Sequence, residues 1–232
     1  MVRVMRGAAL VLALGGLVLL LLSGPFVRFD VVDLRTGFWF FRWAAYLGIA
    51  AALLAVVVLA VPRLRARGVA APAFALLLGV AVFYAPFQFQ NRSRAVPPIN
   101  DITTDTANPP QYMTTRRAYP GEEMARLQRA AYPDLAPLAL PLAPPEAFAK
   151  AVKAAEAMGW EVVGRDAEKG TIEAVDTTKW FGFKDDIAVR VTPAPAGSPS
   201  RSLVDVRSKS RVGRGDLGTN AQRIRAYLER LK

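Results

Sequence analysis

The sequence contains neither cysteine nor histidine. Without cysteine the chain can form no disulfide and offers no thiolate as a nucleophile or a metal ligand. Without histidine it lacks zinc–histidine sites, histidine ligation of haem, Ser-His-Asp catalysis and the usual general base near neutral pH. An enzyme built from this chain would have to use carboxylates, lysine, tyrosine or a bound metal.

Acidic residues are scarce in the first part of the chain. Residues 1–90 hold eight basic residues and only Asp30 and Asp33 as acids, whereas residues 91–232 hold the other 22 basic and 17 acidic residues. Hydrophobic residues make up 53% of the chain, which is more than in an average soluble domain. These patterns predict a membrane anchor over residues 1–90 followed by a soluble domain over residues 91–232.

Three long apolar runs predict three transmembrane helices. The first runs without a charge from 7 to 27, the second covers 43–61 and the third covers 69–89. Each is close to the roughly 20 residues that are needed to cross the hydrocarbon core. The first run resembles a signal peptide, but the residues Ser-Gly-Pro at 23–25 replace the small-residue cleavage pattern. We therefore expect an uncleaved anchor.

Arginines near the ends of the predicted spans indicate the orientation in the membrane. Two precede the first span and three lie in the short connection between the second and third spans: Arg3, Arg6, Arg63, Arg65 and Arg67. The positive-inside rule places these segments in the cytoplasm, so the domain after the third span lies on the opposite side. We expect a multi-pass protein of the bacterial inner membrane with a periplasmic carboxyl-terminal domain, although Arg92 and Arg94 argue mildly against this orientation.

An α+β fold is predicted for the soluble domain. Its first part, 91–143, is rich in proline and is expected to wrap against the rest, with one short helix at 122–130. A helix opening at Pro144, four mostly antiparallel strands and a final helix follow. The strands are expected at 160–164, 170–177, 186–192 and 202–208. Alternating apolar and polar residues in the last two strands predict a sheet with one buried face and one solvent-exposed face.

Gly213, Gly215 and Gly218 form a G-x-G-x-x-G pattern ahead of the final helix, as in dinucleotide-binding loops. Only one helix follows, without the second parallel strand or the acidic residue that holds a ribose, so we expect no dinucleotide site. Asp216 at the helix N-cap, and Thr219 with Gln222 as a capping box, would satisfy the free N–H groups. A structural turn is the favoured interpretation, and an anion pocket is the alternative.

Two sets of polar residues are candidates for a functional site. Residues 201–232 hold nine basic and three acidic residues, and the candidate ligand-binding residues are Arg207, Lys209, Arg211, Arg214 and Asn220. Helical spacing also predicts that Arg223 and Arg230 lie away from the apolar stripe of the final helix. The candidate acidic cluster consists of Asp101, Asp105, Asp185, Asp186 and Asp216. Such carboxylates could hold a divalent cation, but we favour their pairing with the arginines of the last strand and loop.

Four motifs are similar to those of a family of bacterial and plastid proteins described as a domain of unknown function. They are PPINDITTDTANPP at 97–110, GW at 159–160, FGFKDD at 181–186 and DVRSKSRVGRGDLGTNAQRI at 205–224. The resemblance covers most of residues 95–232. It implies a membrane- or envelope-associated domain without an agreed activity, and it identifies no catalytic residues. It also raises the expectation that the candidate residues of the three longer motifs meet on one surface around the glycine loop.

These patterns predict a non-enzymatic envelope protein whose domain binds a partner or an anionic ligand, such as a lipid headgroup, close to the membrane. The expected partners are the lipid bilayer itself and an anionic lipid or an envelope protein. No nucleic acid, cofactor or resident metal is expected, and no catalytic residue can be assigned. Two alternatives remain open: a metal-dependent hydrolase or transferase that uses the aspartates, and a scaffold subunit of an envelope complex.

Overall fold

The computed structural model describes residues 2–66, 68–115 and 117–232, and of Val2 and Arg3 it describes only the backbone. The described residues form two compact units. The first comprises those of 1–92 together with 179–182, and the second comprises those of 93–178 and 183–232. Arg67 and the side chain of Arg3, which contribute to the predicted orientation, lie outside the described residues.

The first unit is built from three long apolar helices, as predicted. They are α1 (Val2–Arg28), α2 (Leu34–Ala60) and α4 (Ala70–Ala95), with the short α3 (Pro62–Arg65) between the last two. Each long helix is apolar enough to cross a membrane by length and composition. Helix α2 begins nine residues before the predicted span because Arg35 and Arg42 interrupt the apolar run without interrupting the helix. The Asp33 carboxylate caps it by accepting the Thr36 N–H at 2.9 Å.

Small residues line the inside of this unit and large apolar residues face outward. Gly48 and Gly79 face each other so closely that a Cβ on either would lie 2.7 Å from the other's carbonyl oxygen. On the outside, the side chains of Val11, Leu53 and Leu77 are 68%, 63% and 72% exposed. Close approach through small residues is typical of membrane helices, whose large apolar side chains contact lipid. The first unit therefore has the architecture of a membrane protein.

The second unit contains an antiparallel sheet that has six strands in the described part of the chain. These are β1 (Asp101–Thr103), β2 (Leu138–Leu140), β3 (Glu161–Asp166), β4 (Thr171–Thr177), β5 (Lys184–Pro193) and β6 (Ser202–Ser210). The strand order is β1-β6-β5-β4-β3, and β2 also pairs with β6. The four predicted strands correspond to β3–β6, so the predicted strand count was too low. Strands β1 and β2 have three residues each, too few to show an alternating pattern.

Helices α6 (Pro144–Ala157) and α7 (Thr219–Leu231) cover one face of the sheet and enclose the hydrophobic core. Trp160 and Tyr227 stack in this core with ring centroids 4.8 Å apart. Helix α6 begins at Pro144 as predicted. It ends in a Schellman motif, in which the left-handed Gly159 donates to Glu156 and Trp160 donates to Ala155.

The opposite face of the sheet was predicted to be solvent-exposed, and this prediction is wrong. Asp205, Arg207 and Asp186 lie on that face, yet they are only 3%, 0% and 2% exposed. The covering elements are helix α5 (Glu122–Ala131) and an irregular segment, residues 104–115 and 117–120, which we call the strap. Charged residues can occupy a covered face because they form ion pairs with one another beneath the strap.

Candidate functional site in the second unit

The Asp101–Arg207 ion pair lies at the centre of the strap-covered face. Strands β1 and β6 place Asp101 opposite Lys209 and two residue pairs away from Arg207, on the same face of the sheet. Arg207 donates from Nε and Nη2 to the two carboxylate oxygens of Asp101, each at 2.9 Å, and both side chains are 0% exposed. Lys209 Nζ donates to the same carboxylate at 2.9 Å. This two-bond geometry is the strongest that arginine forms with a carboxylate.

The strap encloses the Arg207 guanidinium. Its Nη1 and Nη2 atoms donate to the carbonyl oxygens of Pro110 at 3.3 Å and of Arg117 at 3.0 Å. The guanidinium carbon lies 4.9 Å from the ring centre of Tyr112 and 5.6 Å from that of Tyr119. These are cation–π distances. Arg207 is therefore surrounded by protein groups and is not open to a ligand from solvent.

The two tyrosines that contact Arg207 resist ionisation. Burial raises the pKa of Tyr119 to about 12, and the charge of Asp101 adds to the effect. Burial followed by the charge of Asp101 also raises the pKa of Tyr112. Burial alone would lower the pKa of Arg207, but the hydrogen bonds and charge of Asp101 raise it overall. The cluster therefore holds two cations, Arg207 and Lys209, and two neutral phenols around the Asp101 carboxylate.

Asp186 forms a second ion pair on the same face, nearer the glycine loop. Arg211 donates to Asp186 Oδ1 from Nε at 2.9 Å and from Nη2 at 2.7 Å. Arg117 of the strap approaches Oδ2 to 3.1 Å, although this buried oxygen forms no well-directed hydrogen bond. The hydrogen bond to Asp186 raises the pKa of Arg211, whose side chain remains 39% exposed. The pair thus lies at the border between the covered face and solvent.

Asp105 joins a third ionic group in which Arg190 is shared by two carboxylates. Arg190 Nη2 donates to Asp105 Oδ2 at 3.1 Å and to Asp205 Oδ2 at 3.0 Å. Nearby, the carboxylate of Glu173 accepts the backbone N–H groups of Met113 at 2.6 Å and Thr114 at 2.8 Å. Sequence reasoning missed Arg190 because it took that strand position as solvent-facing, and it assigned no face to Glu173.

Asp185 lies on the other face of the sheet, beneath α7. Arg223 donates to Asp185 Oδ2 at 2.6 Å and to Asp176 Oδ2 at 2.8 Å. It also donates to Asn220 Oδ1 at 2.5 Å and to Ser208 Oγ at 3.1 Å. The prediction that Arg223 lies away from the buried side of the helix is wrong, because its side chain is only 4% exposed. The i, i+3, i+7 spacing of Asn220, Arg223 and the core residue Tyr227 could have indicated this.

Asn220 connects α7 to the end of the sheet. Its Nδ2 donates to Ser210 Oγ at 3.0 Å and to the Asn100 carbonyl oxygen at 3.1 Å. Its Oδ1 accepts from Ser208 Oγ at 2.7 Å as well as from Arg223. Asn220 is 0% exposed, so its amide serves the packing of α7 against β6 in this structure.

The glycine loop ends in a turn built around Asp216. Helix α7 starts at Thr219, so the N-cap position falls on Gly218, in a left-handed conformation, and not on Asp216. Asp216 still satisfies two N–H groups, accepting from Gly218 and Asn220 at 2.8 Å each. The predicted Thr219–Gln222 capping box does not form, because Thr219 is the first helical residue. Burial raises the pKa of Asp216.

The candidate residues therefore do not share one surface. Asp101, Asp105, Asp186, Arg207, Lys209 and Arg211 belong to the strap-covered face, whereas Asp185, Asp216 and Asn220 belong to the α7 side. Segment 97–110 does adjoin the glycine loop, since Asn100 Nδ2 donates to the Gly213 carbonyl oxygen at 2.6 Å. Within the described ranges, no three acidic residues are grouped so as to hold a metal ion. Residues 211–215, including Arg214, are exposed.

A cleft of about 360 Å³ opens on the strap side, between the start of the strap and the end of α5. It is lined by Thr104, Asp105, Arg129, Tyr132 and Leu135, among others. The Asp105 carboxylate at its border is held by Arg190. The Tyr132 hydroxyl is buried without a hydrogen-bond partner. Among the residues lining the cleft, Asp105 is the only candidate site residue, and the lining does not indicate a particular reaction.

Taken together, the units define a membrane-associated α+β protein whose buried charges form ion pairs. Residues 101–231 match the model of a family described as a protein of unknown function, DUF1499. The chain belongs to this family. A search of curated proteins found no match.

Proposed function

We propose that the protein is a multi-pass protein of the bacterial inner membrane, with its amino terminus in the cytoplasm and its second unit in the periplasm. We further propose that the second unit is not an enzyme but binds an anionic group, carried by a lipid headgroup or an envelope protein. The exposed loop 211–215 and the neighbouring Lys184 form the proposed binding surface.

The distribution of charge along the first unit supports the proposed orientation. A Cβ on Gly68 would lie 3.6 Å from Arg6 Nη2, so the start of α1 and the connection before α4 share one end of the unit. Arg63 and Arg65 belong to the same connection. The end where α1 meets α2 carries Asp30 and Asp33 in addition to arginines. Concentrated positive charge marks the cytoplasmic side of a membrane protein.

One observation carries the binding role: the carboxylates of the candidate site are engaged, whereas cations of the glycine loop face solvent. Asp101, Asp186 and Asp185 each accept hydrogen bonds from an arginine. Carboxylates held in this way are poorly placed to bind a metal ion. Arg214 and Lys184 are exposed, and Lys184 adjoins the loop because its carbonyl oxygen accepts the Arg211 N–H at 3.0 Å.

Flotation with liposomes tests the binding role. The second unit draws its core from residues 99–231 alone, so a fragment of residues 93–232 is suitable. It carries Trp180→Ser and Phe181→Ser, because these two rings belong to the first unit and would otherwise bind lipid themselves. We expect it to float with phosphatidylglycerol-containing liposomes and less with pure phosphatidylcholine. The variant Lys184→Glu/Arg214→Glu should lose this preference. Arg165→Glu/Lys169→Glu, which reverses two charges near the β3–β4 turn, should retain it.

Equal flotation of the two double variants would contradict a lipid-binding surface at the loop. Crosslinking of the full-length protein in intact membranes then distinguishes an envelope partner, because a partner gives a shifted band that the loop variant loses. Calorimetric titration with magnesium, calcium, manganese and zinc addresses the metal-dependent alternative. Heat that disappears in Asp186→Asn would favour that alternative over the binding role.

A further inference from the structure

The connection between β4 and β5, residues 179–182, belongs to the first unit and not to the second. It reads Lys-Trp-Phe-Gly, a combination of a cation and aromatic rings that is typical of the membrane–water interface. Phe181 is 7% exposed, whereas Trp180 is 41% exposed. The segment therefore has one ring packed among the helices and one ring on the outside of the unit.

Phe181 is held by phenylalanines of α2. Its ring stacks on Phe38 with centroids 5.1 Å apart, and it meets Phe41 edge-on at 5.9 Å. Both of those rings also contact Phe89 of α4, at 5.8 and 5.5 Å. Such aromatic contacts add to the burial of apolar area. The four rings form one cluster across two of the long helices.

Trp180 is held against α1. A Cβ on Gly24 would overlap the indole ring, so the ring packs against the bare backbone of the helix. Arg28 Nη1 donates to the Lys179 carbonyl oxygen at 2.6 Å, which fixes the segment at the last turn of α1. A larger residue than glycine at 24 would displace the tryptophan.

The position of these contacts along the helices gives their depth. Helix α1 has 27 residues and is therefore about 40 Å long, whereas the hydrocarbon core is about 30 Å thick, which leaves about 5 Å at each end for the headgroup layer. Gly24 is about 6 Å from the end of α1 and Phe38 is about 6 Å from the start of α2. Trp39 of α2 is exposed near the same end, and Trp43 is exposed one turn deeper, about 13 Å from the start of α2.

We propose that residues 179–182 are a membrane-insertion element, in which Trp180 contacts phospholipid at the boundary between headgroups and hydrocarbon. Trp180 completes an aromatic belt with Trp39, and Lys179, which is exposed, reaches the headgroup phosphates. The family-matched part of the chain thereby contacts the bilayer directly. This inference rests on the three apolar helices and is independent of the proposed anion binding.

Fluorescence quenching by brominated phosphatidylcholine tests the depth of Trp180 in the full-length protein. The chain has four tryptophans, so Trp39→Phe/Trp43→Phe/Trp160→Phe leaves Trp180 as the only emitter. We expect a greater loss of emission with bromine near the headgroup than with bromine near the bilayer centre. In the control, Trp39→Phe/Trp43→Phe/Trp180→Phe leaves the buried Trp160, whose emission should be unchanged by either lipid.

Matched glycine variants test the packing that holds Trp180. In the Trp180-only protein, Gly24→Ala should change the quenching profile, because the added Cβ meets the indole ring. Gly7→Ala, on the same helix, should leave it unchanged, because nothing lies within 4 Å of a Cβ there. Emission that is insensitive to bromine at both depths but quenched by aqueous iodide would overturn the proposal, as would stronger quenching from the bilayer centre.

A spin label provides a second reading if the tryptophan variants do not fold. The chain has no cysteine, so Trp180→Cys creates a single labelling site in an otherwise unaltered protein. We expect the label to collide more with oxygen, which concentrates in the bilayer, than a label at Gly197→Cys in the exposed β5–β6 connection. The proposal would be overturned if the labels at positions 180 and 197 collided equally often with oxygen and also equally often with a water-soluble nickel complex.

Discussion

Removing the Asp101 carboxylate should destabilise the second unit more than removing the charge of its partly exposed partner Lys209. In Asp101→Asn, Arg207 remains 0% exposed without its counter-charge, and Lys209 loses the same partner. Breaking a buried ion pair from one side costs about 3–5 kcal/mol. The side chain of Lys209 is 19% exposed and Lys209→Met leaves the Asp101–Arg207 pair intact, so only one hydrogen bond is lost and the cost should be about 1 kcal/mol.

Urea unfolding of residues 93–232, followed by circular dichroism, measures this difference. The two variants should differ by about 3 kcal/mol, or roughly 10 °C in Tm for a domain of this size. Equal m values are required, because a changed m value would mean a changed folded or unfolded ensemble. Asp101→Asn/Arg207→Met should recover part of the loss, since the fully buried charge of Arg207 is removed with its partner and the remaining Lys209 is partly exposed.

A loss for Asp101→Asn that falls within about 1 kcal/mol of the loss for Lys209→Met would refute the reasoning. That result would mean that water reaches Arg207 after the substitution, and therefore that the strap does not seal the face. If Asp101→Asn/Arg207→Met were less stable than Asp101→Asn alone and than Arg207→Met alone, that result would likewise contradict the account of a buried pair.

Three other substitutions test separate parts of the fold. Burial raises the pKa of Asp216, so protonation of its carboxyl stabilises the folded state; this stabilisation is complete below pH 3.8 and is lost as the pH rises through the folded-state pKa. In urea titrations, Asp216→Asn should therefore lower the free energy of unfolding more at acidic pH than at neutral pH. The pKa of Tyr119 is raised to about 12, so the stability linked to its neutral form is present below about pH 10 and is lost above it. Tyr119→Phe, which cannot ionise, should therefore show a smaller fall in Tm at alkaline pH. An alanine in the left-handed conformation costs about 1–2 kcal/mol of folding free energy. Gly197→Ala, where nothing lies near the added Cβ, should cost only that amount, whereas Gly170→Ala should cost more because its Cβ would overlap the Val191 carbonyl oxygen.

The membrane helices and the central strands could be predicted because their signals are local. An uncharged run is sufficient to identify α1, and alternation over seven residues is sufficient to identify β5 and β6. Strands β1 and β2 could not be identified in this way. They exist because the long β6 offers an edge on which both can pair, and Asp101 meets Lys209 across 108 positions of chain.

The burial of the candidate residues and their ion-pair partners were harder to predict than the fold. A polar residue that alternates with apolar neighbours normally indicates a solvent-facing position, and Arg207 and Asp205 follow that pattern. They are buried because the proline-rich strap supplies carbonyl oxygens and tyrosine rings to Arg207. The pairing of carboxylates with arginines was the favoured interpretation, but which partner each would take depends on which face of the sheet it occupies. Thus Asp185 and Asp186, adjacent in sequence, bind arginines on opposite faces.

The location of the second unit relative to the membrane is the central claim, and labelling of single cysteines in intact cells tests it most directly. The chain has no cysteine of its own, so Gly197→Cys in the second unit and Ala66→Cys between α2 and α4, which keeps every arginine, can each be read separately. A membrane-impermeant maleimide should label Gly197→Cys in spheroplasts and should label Ala66→Cys only after permeabilisation. Labelling of Ala66→Cys alone before permeabilisation would contradict the proposed orientation and the periplasmic location of the second unit.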